Sequence, residues 1–147
     1  KVKPHELPSR LRALLGELQE LKKRLRAQEL ESAKAWARNL KIEEMNGVKV
    51  AAGALEASPE AVRVAADVLE GRGAQVILLV GKGERAFVHV RSQVPELPAN
   101  ALARNLAEAL GGKGGGSPRK AEGGGPKAEL ADKALEEVLE ALREEAI

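Results

Sequence analysis

"GVKVAAGALEASPEAVRVAADVLEGRGAQVILLV", residues 47–80, decides the fold. Val48, Val50 and Ala52 alternate with other residues, as in a strand with one buried face. Ser58 and Pro59 then open a helix: a hydroxyl cap followed by a first-turn proline. Val62, Ala65, Ala66 and Leu69 lie on one face of that helix, and Gly71 stops it. The run 74–80, AQVILLV, is continuously apolar, as expected of a central strand covered on both faces. Strand, helix and strand in this order predict an α/β layer.

Downstream, GKGE (81–84) reads as a turn, and RAFVHVR (85–91) alternates again and pairs back as a hairpin. Residues 98–110 form a helix with Leu102, Leu106 and Leu110 on one face. A glycine-rich loop occupies 111–125. A last helix runs from about Pro126 to Arg143, with Leu130, Ala134, Val138 and Leu142 inward. Upstream, Leu7, Leu11, Leu14, Leu18, Leu21 and Leu25 step by four and three, a heptad seam. At Gln28 and Ser32 the register breaks, and a shifted stripe follows at Leu30, Ala33, Ala37 and Leu40 beside Trp36. The helix is expected to continue to about Glu44 and to end at Asn46-Gly47. The expected class is α/β: a long coiled-coil-like N-terminal helix (residues 1–45), then a small layered β-α-β-β-α-loop-α globular domain (residues 46–147).

The 147 residues are 44% hydrophobic and 31% charged, a balance that folds in water. Aromatics are 1%, Trp36 and Phe87, so base stacking on aromatic platforms is nearly unavailable. A formal charge of +2 and a pI near 9.0 permit a nucleic-acid partner. There is no cysteine, which excludes disulfides, thiolate catalysis and cysteine zinc sites, and fits a reducing cytoplasm. No apolar run is long enough for a membrane span. The opening KVKPHELP lacks a methionine, as a piece of a longer protein would.

Residues 110–125, LGGKGGGSPRKAEGGG, permit three readings. A P-loop needs lysine directly before Ser or Thr and a strand directly before the loop; here the lysine comes early and a helix precedes. A plain linker is out of place between two helices of one small domain. The third reading is a backbone-amide surface for phosphates. Gly114, Gly115 and Gly116 would present backbone, while Lys113, Arg119 and Lys120 would supply charge. Lys82, Arg85 and Arg91 of the preceding hairpin are further candidate contacts, as is the basic helix around Lys22 to Arg26. His5 and His89 are poor catalytic candidates, with no nucleophile or carboxylate cluster to serve. The acidic face of the last helix reads as solvated, and Trp36 as a packing residue. The seam of Leu11, Leu14, Leu18, Leu21 and Leu25 requires a partner helix, from this chain or a second copy.

Residues 101–142, ALARNLAEALGGKGGGSPRKAEGGGPKAELADKALEEVLEAL, resemble the C-terminal domain of bacterial alanyl-tRNA synthetases: a helix, GGxGGG, a proline, a further glycine pair and a closing helix. Residues 45–80 and the leucine-seamed helix resemble that family as well. The domain is related to the nucleic-acid-binding module of DHH phosphodiesterases. The resemblance implies a non-catalytic module that grips the elbow of tRNA-Ala and links aminoacylation to editing. It further implies contacts with the catalytic and editing domains of the same polypeptide, self-association as a homodimer, and a cytoplasmic location. ATP, magnesium and zinc would serve those other domains, with no cofactor in this piece. Phosphodiesterases of the kind carry a histidine after the triple glycine; Ser117 stands there, which argues against hydrolysis. Arg119 and Lys120 are more basic than the family's usual residues. The competing readings are the binding lobe of a DHH-type phosphodiesterase and a purely structural oligomerisation module.

Overall fold

The computed structural model describes residues 7–145. Helix α1 spans Leu7–Asn39. Strands β1 (Glu43–Met45) and β2 (Val48–Leu55) follow, then α2 (Pro59–Gly71), β3 (Val76–Lys82), β4 (Ala86–Ser92) and α3 (Ala99–Ala109). Strands β5 (Lys113–Gly116) and β6 (Lys120–Gly125) come next. A 3₁₀ turn at Ala128–Leu130 leads into α4 (Ala131–Glu145). The six strands make one sheet in the order β1-β2-β3-β4-β6-β5. Only the β2–β3 pair is parallel, as the crossover through α2 requires.

The elements follow local chemistry. Ser58 caps α2, its Oγ accepting from the Ala61 amide at 3.3 Å, with Pro59 in the first turn. Helix α2 buries Val62, Ala65, Ala66 and Leu69 on one sheet face, against Ile77 and Leu79. Strand β3 alternates inward on both faces. Val76, Leu78 and Val80 turn to the other side, where they meet Val88, Val90, Leu102, Leu106, Leu110 and the α4 residues Ala134, Leu135, Val138 and Leu142. The C-terminal part of α1 lies along α2 through Ala33 and Ala37, both buried, with Leu30, Trp36 and Leu40 beside them. Arg72 fastens its end: Nη1 donates to the Ala37 carbonyl at 2.6 Å and the Leu40 carbonyl at 2.7 Å.

Three expectations need correction. Helix α1 ends at Asn39, not near Glu44. Asn46 and Gly47 both take positive φ (49° and 83°), the geometry of a two-residue hairpin turn. They join β1 to β2 and do not cap a helix. Residues 111–125 are not a loop but chiefly the hairpin β5–β6, which extends the sheet beyond β4. Gly114 allows close packing on α3: a Cβ there would lie 2.7 Å from the Ala103 carbonyl oxygen. Last, α4 begins at Ala131 after the 3₁₀ turn, which rotates Leu130 to a half-buried position and brings Leu135 into the core.

Candidate nucleic-acid interface

Helix α2 lies over β3 and β4, whereas α3 packs on β5 and β6 from the opposite side. The α2-side face of the β5–β6 hairpin is therefore open. Strand register orders it into rows that run across three strands. Phe87 pairs with Gly124 and Gly124 with Lys113; His89 pairs with Glu122 and Glu122 with Gly115; Arg91 pairs with Lys120. Because successive strand residues alternate faces, these rows share the side of Ile77 and Leu79. The result is a shelf of strand backbone with Lys113 at one end and Lys120 at the other. The end rows lie four residues apart, about 13 Å at roughly 3.3 Å per residue.

A polar chain crosses the middle of the shelf. Arg63 of α2 grips Glu122 with two nitrogens, Nε donating to Oε2 at 2.8 Å and Nη2 to Oε1 at 3.1 Å. The Arg63 guanidinium also sits 5.2 Å over the Phe87 ring. Arg91 Nε donates to His89 Nε2 at 2.9 Å. An arginine nitrogen only donates, so Nε2 accepts and the imidazole proton is on Nδ1. Nδ1 then donates to Glu122 Oε2 at 2.7 Å. Arg63 first, and then His89, hold the Glu122 carboxyl down at about 2. His89 is fully buried, and burial is the main force lowering its pKa. A neutral histidine thus joins two arginines and a carboxylate across two strands.

The candidate contacts divide into separate groups. Lys113, Arg119 and Lys120 are exposed on the hairpin, with no carboxylate partner at ion-pair distance among the described residues. Gly114, Gly115 and Gly116 form β5, the edge strand. Arg85 is exposed in the β3–β4 turn, at the Lys113 end. Lys82 belongs to the α4 side of the sheet, its Nζ 3.9 Å from Asp132. Arg91 is largely enclosed, its Nη1 held by Asp67 at 2.7 Å and Glu70 at 2.9 Å. It is a structural cation of the shelf. Sequence reading missed Arg63 and Glu122, whose partnership depends on the β4–β6 register. The alternation of Phe87, His89 and Arg91 was the available signal. His5 and the Leu7 side chain lie outside the described residues. Leu11, Leu14, Leu18, Leu21 and Leu25 are all exposed, as is Leu15. Among the described residues no three His, Cys, Asp or Glu side chains are grouped to hold a metal ion. No described helix is long and apolar enough to cross a membrane.

The domain is thus an α/β sheet extended by a glycine hairpin that carries exposed cations. Residues 47–144 match the family model of the DHHA1 domain, and the chain belongs to that family. It is similar to an alanine–tRNA ligase of Thermus thermophilus, 36% identical over 138 residues, and to that of Methanospirillum hungatei, 32% identical over 135. These alignments take in 90% and 91% of this chain but only 16% and 14% of those enzymes. The C-Ala domain of Aquifex aeolicus alanyl-tRNA synthetase has the same fold, with a TM-score of 0.61 at 24% identity, covering 71% of this chain and 99% of that one. RecJ from Thermus thermophilus shares it too, with a TM-score of 0.54 at 22% identity over 91% of this chain and 20% of RecJ.

Proposed function

We propose that this domain is the tRNA-binding module of an alanine–tRNA ligase and grips the elbow of tRNA-Ala through the β5–β6 hairpin. In that setting it holds one tRNA for both aminoacylation and editing. Those reactions, with their ATP, magnesium and zinc, belong to other domains of the same cytoplasmic polypeptide. The observation that carries the reading is the trio Lys113, Arg119 and Lys120 on a hairpin short of side chains, none of the three within ion-pair distance of a carboxylate among the described residues. Cations spaced along a bare strand suit a phosphodiester backbone read by charge and shape. Ser117 donates through Oγ to the Lys120 carbonyl and accepts from the Lys120 amide, both at 3.1 Å, so its hydroxyl ties the hairpin turn. That gives it a structural task in place of the phosphodiesterase histidine. The test is a titration with tRNA-Ala at low and raised salt. Affinity that falls with salt, with a shallower slope once the three cations are replaced by alanine, supports the reading. Absence of binding at low salt overturns it.

The leucine half of α1 supports a second element of the proposal, self-association. A seam of five leucines exposed along residues 11–25 needs an apolar cover. A second copy supplies it with matching charge. In heptad positions Glu17 meets Lys22 of a parallel partner helix or Arg24 of an antiparallel one. Sedimentation tests this: a strictly monomeric protein at high concentration removes the second copy as the cover.

A further inference from the structure

At the foot of the hairpin tip is a cavity of about 390 Å³ that the phosphate contacts leave unused. It is walled by the C-terminal part of α2, the start of β3, the end of β4 and the turn that carries Arg119 and Lys120. We propose that this cavity takes a guanine base turned out of the bound RNA, with the attached phosphate on Arg119 and Lys120. The inference rests on the RNA-binding reading for its phosphate end alone.

The acceptor set points to the base. Asp67 uses Oδ1, and Glu70 uses Oε2, on the same Arg91 nitrogen. Asp67 Oδ2 and Glu70 Oε1 have no described protein partner, so two carboxylates that converge on one arginine nitrogen each keep an acceptor oxygen on the cavity wall. A guanine edge brings two adjacent donors, N1–H and N2–H₂. Adenine sets one donor beside one acceptor, cytosine one donor beside two acceptors, and uracil one donor between two acceptors. An unstacked base read along its Watson–Crick edge is the usual unit of sequence-specific RNA recognition. The wall is preformed. Arg91 holds both carboxylates and is itself held from behind by His89 Nε2 at 2.9 Å, inside a fully buried imidazole. The cavity volume is within the range of small-ligand sites. Cations on one rim and carboxylates on the other match a nucleotide's two ends.

The experiment titrates the whole chain with guanosine and adenosine 5′-monophosphates, with inorganic phosphate as the control for the cation end. Expected is a preference for the guanosine nucleotide of about fivefold or more, since a good two-point edge contact discriminates by at least that much. The preference should vanish in Asp67→Asn/Glu70→Gln, while phosphate binds both proteins equally. Equal affinity for the two nucleotides, or no saturation by either up to about 10 mM, overturns the proposal. A preference that survives in the double variant overturns the assigned wall. Salt-dependent binding of tRNA-Ala by the same samples shows whether the RNA reading stands when the guanine site fails.

Discussion

Strands β5 and β6 hold six glycines, and at five of them an added Cβ would come closer than 3 Å to another atom. Residues 8–28 of α1 hold six leucines that stand in solvent. The hairpin with almost no side chains is the more tightly seated of the two regions. At Gly114 it lies directly on the α3 backbone, and at the other four it meets β4, the Leu110 carbonyl or its own two strands, where a methyl group is already too large. The leucine half of α1 has the greater apolar area and touches no core. What seats a segment here is its fit to the neighbour present: alanines carry α1 onto α2, and Gly114 carries the hairpin onto α3. The leucines are shaped for a surface that lies elsewhere.

The sharpest way to break this contrast is Gly114→Val. The new side chain meets the Ala103 carbonyl and the Ala107 methyl, and the expected cost is about 3 kcal/mol, the upper end of overpacking. Urea unfolding measures it; a loss under about 1 kcal/mol would mean that the hairpin is not seated as described. Next in size, Leu18→Asp should weaken self-association by about thirtyfold, roughly 2 kcal/mol for an unpaired charge in an apolar seam. The globular part should melt unchanged, because Leu18 touches none of it. Sedimentation and calorimetry together check this, and a drop in melting temperature without a change in mass would contradict it.

Replacing Lys113, Arg119 and Lys120 with alanine should reduce tRNA affinity about tenfold at low salt and lower the salt slope by about two to three. Filter binding across a salt series is the readout, and an unchanged slope moves the interface off the hairpin.

Much of the layered fold was legible because side chains announce it. The Ser58-Pro59 cap, the α2 face and the apolar β3 are local signals, and they stand as read. The missing strands have no such signal. Glu43 and Glu44 suit a continuing helix as well as a strand, and Asn46-Gly47 ends a helix as readily as it turns a hairpin. In β5 and β6 glycine removes the alternation by which strands are recognised, since β-propensity reflects side-chain packing. At the site, the trio of cations was readable as a group. The bond between Arg63 and Glu122, fifty-nine positions apart, was not. It exists only after β6 pairs with β4 in one register and α2 crosses above them.

The polar chain on the shelf yields a smaller, pH-dependent effect. Glu122 titrates at about 2 in the fold, against an unfolded carboxyl near 4.3. Its stabilisation is complete above about pH 4.3 and is lost as the pH falls towards 2. His89 acts in the same direction. Its folded pKa is lowered, so its contribution is present above the unfolded value of about 6.5 and is lost on acidification. Glu122 is one-third exposed. After screening, Glu122→Gln should cost on the order of 1 kcal/mol at pH 7 and flatten the stability curve below about pH 4.5. Urea melts from pH 7 to 3 decide it; parallel curves would show that the pair with Arg63 is energetically idle.

Smallest of all should be Gly115→Ala. Nothing lies within 4 Å of a Cβ there, and φ is not positive. Stability should stay within about 0.5 kcal/mol. Any loss of tRNA affinity in this variant then reports direct contact at the strand backbone, free of a folding defect.

Because Arg72 clasps the final carbonyls of α1, the direction in which the helix leaves the domain is fixed, and its length becomes a calibrated spacing. The twenty-one residues from Pro8 to Gln28 reach about 32 Å at 1.5 Å per residue. Whatever the leucines grasp is held within that reach of the domain and at one azimuth. Excising a heptad would draw the two together by about 10 Å and leave the leucines facing almost the same way. Excising two residues would shorten the span by only about 3 Å yet swing that face through some 200°. The helix therefore works as a ruler graduated in both reach and bearing, and the two can be reset independently by the number of residues removed.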